Sequence, residues 1–256
     1  MYYTPILYNI IMGDEPLIAF LCPSRERVEL IKESIDSIIE NTPQDFCNEF
    51  FIAIDDDDPQ GDGYFELLNF YQNEPKIKLY VARCPKWGYG QLHNYYNVMA
   101  SAAKARRLWL WNDDAQILTK DFNLLIENIP QNHFIYLRDP AEIEHDPKQI
   151  VGCTCPIVPK DWVEALGFFS DTHENDIFTT IMAEKTKLYS QLPSVQYKHK
   201  DIRSHLRFIH ENVALNSMQS YAPTPNDQDK FNAQAEIILE YCRQKDQNLC
   251  LFDENK

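Results

Sequence analysis

Short apolar runs and longer amphipathic stretches alternate along the first half of the chain. Residues 17–22 (LIAFLC), 50–54 (FFIAI) and the start of 108–117 (LWLWNDDAQI) are apolar at consecutive positions. That pattern suits strands buried on both faces of a sheet. Residues 76–82 (KIKLYVA) predict one more strand, third in chain order. Between them, residues 26–40 carry Val28, Ile31, Ile35, Ile38 and Ile39 on one stripe, and Asn41-Thr42-Pro43 stops the helix they predict. A turn at Gly61 and Gly63 leads to a short helix over 64–71. A longer helix spans 91–106, with Leu92, Met99, Ala102 and Ala103 inward. Strand and helix alternate through Ala115, which predicts an α/β fold with a mostly parallel central sheet and helices on both faces.

The second half is less regular. It predicts a helix over 122–129, a strand over 134–137, a charged loop over 139–149 and a strand over 153–158. A short helix over 161–166 ends at Gly167, and another follows the run Asp171-Thr172-His173-Glu174-Asn175-Asp176 to about Lys185. Residues 195–199 predict a last strand, 217–228 a polar linker with two prolines, and 231–244 a tail helix.

Composition narrows the partners. With 24 Lys and Arg against 39 Asp and Glu, the formal net charge is −15, which repels a polyanion and argues against nucleic acid. A phosphate ligand then needs a metal or a local basic patch. The seven cysteines are odd in number and scattered in apolar surroundings, as expected for reduced thiols. Cys153 and Cys155 are too close for a zinc-type pair and read as strand residues. No Lys or Arg precedes the N-terminal apolar stretch, and no run approaches the length of a membrane span. The expectation is a soluble, cytoplasmic protein, or one peripheral to a membrane.

The chemistry gathers at strand ends. In open α/β sheets ligands bind at the carboxyl edge. The first strand ends in Pro23-Ser24-Arg25, the second in Asp55-Asp56-Asp57-Asp58, the fourth in Asn112-Asp113-Asp114. Side-chain alternation would put Asn112 and Asp114 on one face and Asp113 on the other. These are hard oxygen donors, suited to Mg²⁺ or Mn²⁺ shared with a phosphate. The competing reading is an acidic turn into a helix capped by Thr119. Arg25 and the Arg83/Lys86 loop offset phosphate charge. There is no GxGxxG, no GxxxxGK[ST], and only seven glycines, so a metal rather than a glycine-rich loop would hold a diphosphate.

Taken in order, strand-Pro-Ser-Arg, strand-DDDD, Gly88-Tyr89-Gly90 with Asn94 or Asn97, and strand-Asn-Asp-Asp resemble the GT-A nucleotide-sugar glycosyltransferases. More narrowly, the chain is similar to their family-2-like inverting group. The resemblance covers roughly residues 17–210. It implies a GT-A domain over 1–216, with a nucleotide-binding half near 17–115, an acceptor half over 116–216, and a separate tail over 217–256. It implies nucleotide contacts at Pro23, Ser24, Arg25, Asp55, Asp56, Asp57, Lys86, Gly88, Asn94, Asn97, Asn112 and Asp113. It also implies a Mn²⁺ or Mg²⁺ ion on Asp114 and then Asp113, because Asn112 replaces the family's first acid. His199 completes that site, with His205 and His210 next in order.

Residues 156–169 look like the segment that precedes the family's catalytic acid. Asp176 then matches the base that takes the acceptor hydroxyl's proton, with Glu174 as its rival. The implied donor is a UDP- or GDP-sugar, and the acceptor a glycan or other hydroxyl. Trp87, Tyr89 and Trp162 are candidates to stack on a sugar or base, whereas Trp109 and Trp111 read as core. Two alternatives stand beside this. One is a sugar-nucleotide pyrophosphorylase, although residues 22–27 lack the glycine-rich loop it would need. The other is a non-catalytic nucleotide- or glycan-binding relative.

Overall fold

The apolar runs become the centre of a twisted sheet. The computed structural model describes residues 16–137, 154–199 and 225–253. Strands β1 (Ile18–Ser24), β2 (Asn48–Asp55), β3 (Ile77–Cys84) and β4 (Arg107–Leu110) run parallel in the order β3-β2-β1-β4. Register pairs Leu21 with Leu110 and Ser24 with Ile54, so three carboxyl ends finish on one edge. β1, β2 and β4 are buried almost throughout because both sheet faces are covered. On one face Phe20, Ile52, Trp109 and Trp111 pack with Ile31, Ile35 and Ile38 of α1 (Val28–Asn41) and Tyr64 of α2 (Gly61–Phe70). On the other, Leu21, Phe51 and Leu108 pack with Tyr95 and Met99 of α3 (Leu92–Ala102). Trp109 and Trp111 are core residues, as their strand positions predict.

The second half extends the sheet. After β4 come β5 (Ala115–Ile117), α4 (Phe122–Glu127), β6 (Phe134–Tyr136), β7 (Ile157–Pro159), α5 (Lys160–Leu166), α6 (Asn175–Thr186), β8 (Tyr189–Gln191), β9 (Tyr197–His199) and α7 (Pro225–Asp253). The main sheet runs β3-β2-β1-β4-β7-β6-β8, with β7 antiparallel to β4 and β6. Gly167 stops α5 in the left-handed region, at φ 79°. No helix among the described residues is long and apolar enough to cross a membrane.

Several sequence expectations change. β4 stops before the acids as expected, but a further strand follows them: the chain turns at 112–114, where Ala115 N donates to Asn112 O at 3.0 Å. β5 then leaves the main sheet and pairs antiparallel with β9. Gly61 and Gly63 lie inside the first turn of α2, not before it. A Cβ would stand 3.1 Å from the Arg83 guanidinium at Gly61 and 3.2 Å from Val28 at Gly63, tight contacts that glycine avoids. α3 ends at Ala102 because the next backbone N–H groups, of Lys104 and Ala105, donate to buried Glu49 at 2.8 and 2.9 Å. Thr119 caps nothing. Its hydroxyl donates to Ser194 O, and Asp121 precedes α4 instead. β7 begins at Ile157 rather than 153, and β8 has no apolar run to announce it. α7 opens at Pro225, so its first residues come from the expected linker. The other linker residues, 217–224, and the loop 139–149 lie outside the described residues, as do His205 and His210.

Candidate active site

Where β4 stops, the polar side chains of the turn that follows diverge, in the directions expected of them. Asp113 turns toward β1: its Oδ2 accepts from Ser24 Oγ at 3.0 Å and its Oδ1 from Arg27 Nη1 at 2.9 Å. Ser24 Oγ also meets Tyr64 OH at 2.9 Å. Asn112 and Asp114 turn toward β9, where His199 waits because β5 and β9 pair Ala115 with His199. His199 Nδ1 lies 3.2 Å from Asp114 Oδ1, and Nε2 lies 3.5 Å from Asn112 Nδ2 and 3.9 Å from Cys155 Sγ.

The two aspartates differ electrostatically. Burial raises the Asp113 pKa, and Arg27 and Ser24 offset only part of that, so the net shift is upward. Burial also acts upward on Asp114, but the His199 hydrogen bond and charge, with Arg27, outweigh it and the net shift is downward. An ionised carboxylate beside an imidazole is a donor pair suited to Mn²⁺ or Mg²⁺. Among the described residues no group of three or more His, Cys, Asp or Glu could hold a metal. The donor set therefore fits an ion shared with substrate oxygens and water, not a closed protein cage.

The β2 end is a strut. Asp55 Oδ2 accepts from Arg25 at 2.9 Å, and Oδ1 makes a short bond from Tyr95 OH. The Tyr95 hydroxyl in turn accepts from the backbone N–H of Trp87 at 2.9 Å and of Gly88 at 3.2 Å. Gly88 holds φ 69°, a conformation glycine tolerates. Asp57 bridges Arg25 and Lys86, and those two cations lower its pKa. The Asp56 side chain is exposed, and Pro23 pairs with Ala53 inside β1. Glu26, between Arg25 and Arg27, takes a strained φ of 58°, pinned by its N–H to Asp58 Oδ2 at 3.0 Å.

A loop over 169–175 carries the second group of acids. Glu174 precedes α6 and Asp176 lies in its first turn. Glu174 Oε2 is buried without a partner, and burial raises the pKa of its carboxyl. Tyr89 is 64% exposed, and its ring centroid lies 6.3 Å from that of His173. The buried Tyr96 hydroxyl is raised first by burial and then by Cys22, Cys155, Asp176 and Asp113, so the start of α6 and the end of β4 act on one side chain.

Some expected contacts have other partners. Asn97 is committed to the loop: its Oδ1 accepts from Phe169 N at 2.7 Å and Ser170 N at 3.1 Å, and its Nδ2 donates to Ser170 O at 2.8 Å. Asn94 donates to Gln91. Trp162 is buried and donates to Asn132 O, so it is core rather than a stacking face. Arg27, Tyr64 and Tyr95 were not foreseen, and Asp58 was foreseen only as a member of the four-aspartate run. The tyrosines look like core aromatics in sequence, and only the second arginine of Arg25-Glu26-Arg27 offered a signal.

No protein-family model matches the chain, and no curated protein matches it. Solved structures do. S. aureus TarS 1-349 in complex with UDP matches at 14% identity and TM-score 0.55, over 71% of this chain and 59% of that one. The mannosyltransferase PcManGT from Pyrobaculum calidifontis, in complex with GDP-Man and Mn²⁺, matches at 14% identity and TM-score 0.59, over 90% of this chain and 74% of that one. The chain thus spans less than two thirds of the TarS fragment. The strand order and these likenesses together show that the chain has the GT-A-like fold of nucleotide-sugar glycosyltransferases.

Proposed function

We propose that this protein transfers a sugar from a nucleoside diphosphate donor to an acceptor hydroxyl, with a divalent cation and with inversion at the anomeric carbon. One observation carries the reading. A single strand end sends Asp113 to Ser24 and Arg27 on one side and Asp114 to His199 on the other. The complexes of TarS with UDP and of PcManGT with GDP-Man and Mn²⁺ support the donor class.

In this reading Asp114 and His199 hold the cation, which offsets charge on the departing diphosphate. Arg25, Arg27 and Lys86 bring positive charge to a chain of net charge −15 that would otherwise repel the donor. Asp55, Asp57 and Ser24, with Pro23, Asp56 and Gly88 beside them, shape the nucleotide pocket. Asp176 accepts the proton of the attacking hydroxyl. Tyr89 offers a face on which an acceptor sugar stacks. A second reading exchanges the two acids, because burial moves the Glu174 pKa in the direction that suits a base near neutral pH.

Calorimetric titration with UDP, GDP and CMP, with and without Mn²⁺, tests the site. The expected result is metal-dependent binding of UDP or GDP that Asp114→Ala abolishes. No nucleotide binding under any condition overturns the site. Binding without release of UDP from UDP-GlcNAc or of GDP from GDP-mannose favours a non-catalytic relative. Where release occurs, Asp176→Asn is expected to suppress it with nucleotide affinity retained. Suppression by Glu174→Gln alone would give the base to Glu174.

A further inference from the structure

Helix α7 lies beyond the motifs that resemble the transferases, and it is built into the fold. Phe231, Ala235, Ile238 and Cys242 recur at helical spacing and are buried with Phe178 of α6 and Trp162 of α5. That seam alone would make α7 a packing appendage. The polar contacts at its N-terminal end say more. Lys230 Nζ lies 2.7 Å from Asp171 Oδ2, and Gln234 Nε2 donates to the same oxygen at 2.9 Å. Positions i and i+4 put both donors on one side of the helix. Two residues earlier along α7, Gln228 and Asn232 accept from Lys185 of α6 at 3.0 and 2.6 Å.

Asp171 belongs to the loop that carries the two acids. Its neighbour Ser170 is fully buried, donates to Thr172 O at 2.9 Å, and is held by Asn97 of α3. Thr172 Oγ1 accepts from Glu174 N, and Asn175 Nδ2 donates to His173 O at 2.9 Å. The loop is therefore gripped from α3 at one end and from α7 one residue further on. As a source of stability this second grip is poor. Asp171 Oδ1 and Gln234 Oε1 are buried without partners, and Lys230 is half exposed. Unsatisfied acceptors and a solvated ion pair contribute little to folding. Holding a loop in one place is what the arrangement does well.

We propose that Lys230 and Gln234 are positioning residues: through Asp171 they fix the loop that presents Glu174 and Asp176, which makes α7 part of the catalytic unit. The catalytic consequence rests on the transferase reading above. The structural consequence does not, and the experiment separates the two. Full-length wild type is compared with Lys230→Ala/Gln234→Ala, with Lys230→Arg and with Asp171→Asn. Hydrogen exchange of residues 169–176, thermal midpoint, UDP and GDP affinity, and nucleotide release from UDP-GlcNAc and GDP-mannose with Mn²⁺ are measured.

The double variant is expected to exchange faster in the loop at an unchanged midpoint. It should release nucleotide about tenfold to a hundredfold more slowly, as misplaced reacting groups do, with nucleotide affinity retained. Asp171→Asn should behave likewise in part, and Lys230→Arg should restore both loop protection and turnover. Unchanged exchange in 169–176, or a turnover loss that only follows loss of folded protein, overturns the proposal. If wild type releases nucleotide from neither donor, the transferase reading falls and the exchange data alone decide the grip.

Discussion

Asp113 and Asp114 are adjacent and equally acidic, yet their surroundings give them opposite roles. Asp114 has a depressed folded pKa, so its ionised form stabilises the fold at neutral pH. That contribution is lost as pH falls below the ordinary aspartate value of about 3.9 toward the lower folded value. Asp114→Asn should lower the thermal midpoint at pH 7, with the gap to wild type closing in acid. Asp113 has a raised folded pKa, so its charge costs stability above the unfolded value and the cost is relieved in acid. Asp113→Asn should therefore leave the pH 7 midpoint unchanged or higher, while weakening nucleotide binding through Arg27. Midpoints of both variants across the acid range check the pair; a parallel response would refute the split. Sequence showed that these two side chains face apart. It did not show their partners, because Ser24 and His199 lie 89 and 85 positions away from them.

At the scale of elements, the edge that holds the site depends on the aromatic core beneath it. Trp109 is fully buried, stacks on Phe20 with ring centroids 5.0 Å apart, and donates Nε1 to Cys155 O at 2.9 Å. Trp109→Ala is expected to cost about 3–5 kcal/mol, read by denaturant unfolding. Gly167 closes α5 at φ 79°, so Gly167→Ala should cost about 1–2 kcal/mol for the left-handed backbone alone. Long apolar runs such as 17–22 and 50–54 were legible as strands because burial on both faces leaves no polar position. β5, β8 and β9 were harder to place: three residues are too few for any period, and two of these strands leave the plain parallel pattern.

The whole molecule carries a net charge of −15, and its site for an anion rests on a few local cations. Arg25, Arg27 and Lys86 are all paired with aspartates at the sheet edge. A bound cation and nucleotide should stabilise the fold by linkage, by about 2.7 kcal/mol when free nucleotide is a hundred times its dissociation constant. A thermal shift with UDP or GDP that requires Mn²⁺ and disappears in Asp114→Ala is the expected outcome. A shift that persists in the variant would put the cation elsewhere.

The sequence by itself determined the parallel core, the order of its helices and the acidic strand ends at one edge. Those properties follow from local periodicity and from the rule that a strand buried on both faces must be apolar at successive positions. It also identified His199 and the acids before α6 as candidates, although through motif order and not through contacts. Only the tertiary structure decided that β5 leaves the main sheet after the acids, that β9 pairs with it and brings His199 to Asp114, and that Asn97 grips the loop of Glu174. It likewise joined α7 to that loop. These are pairings between segments far apart in the chain, and their geometry depends on how the sheet edge closes rather than on any local pattern.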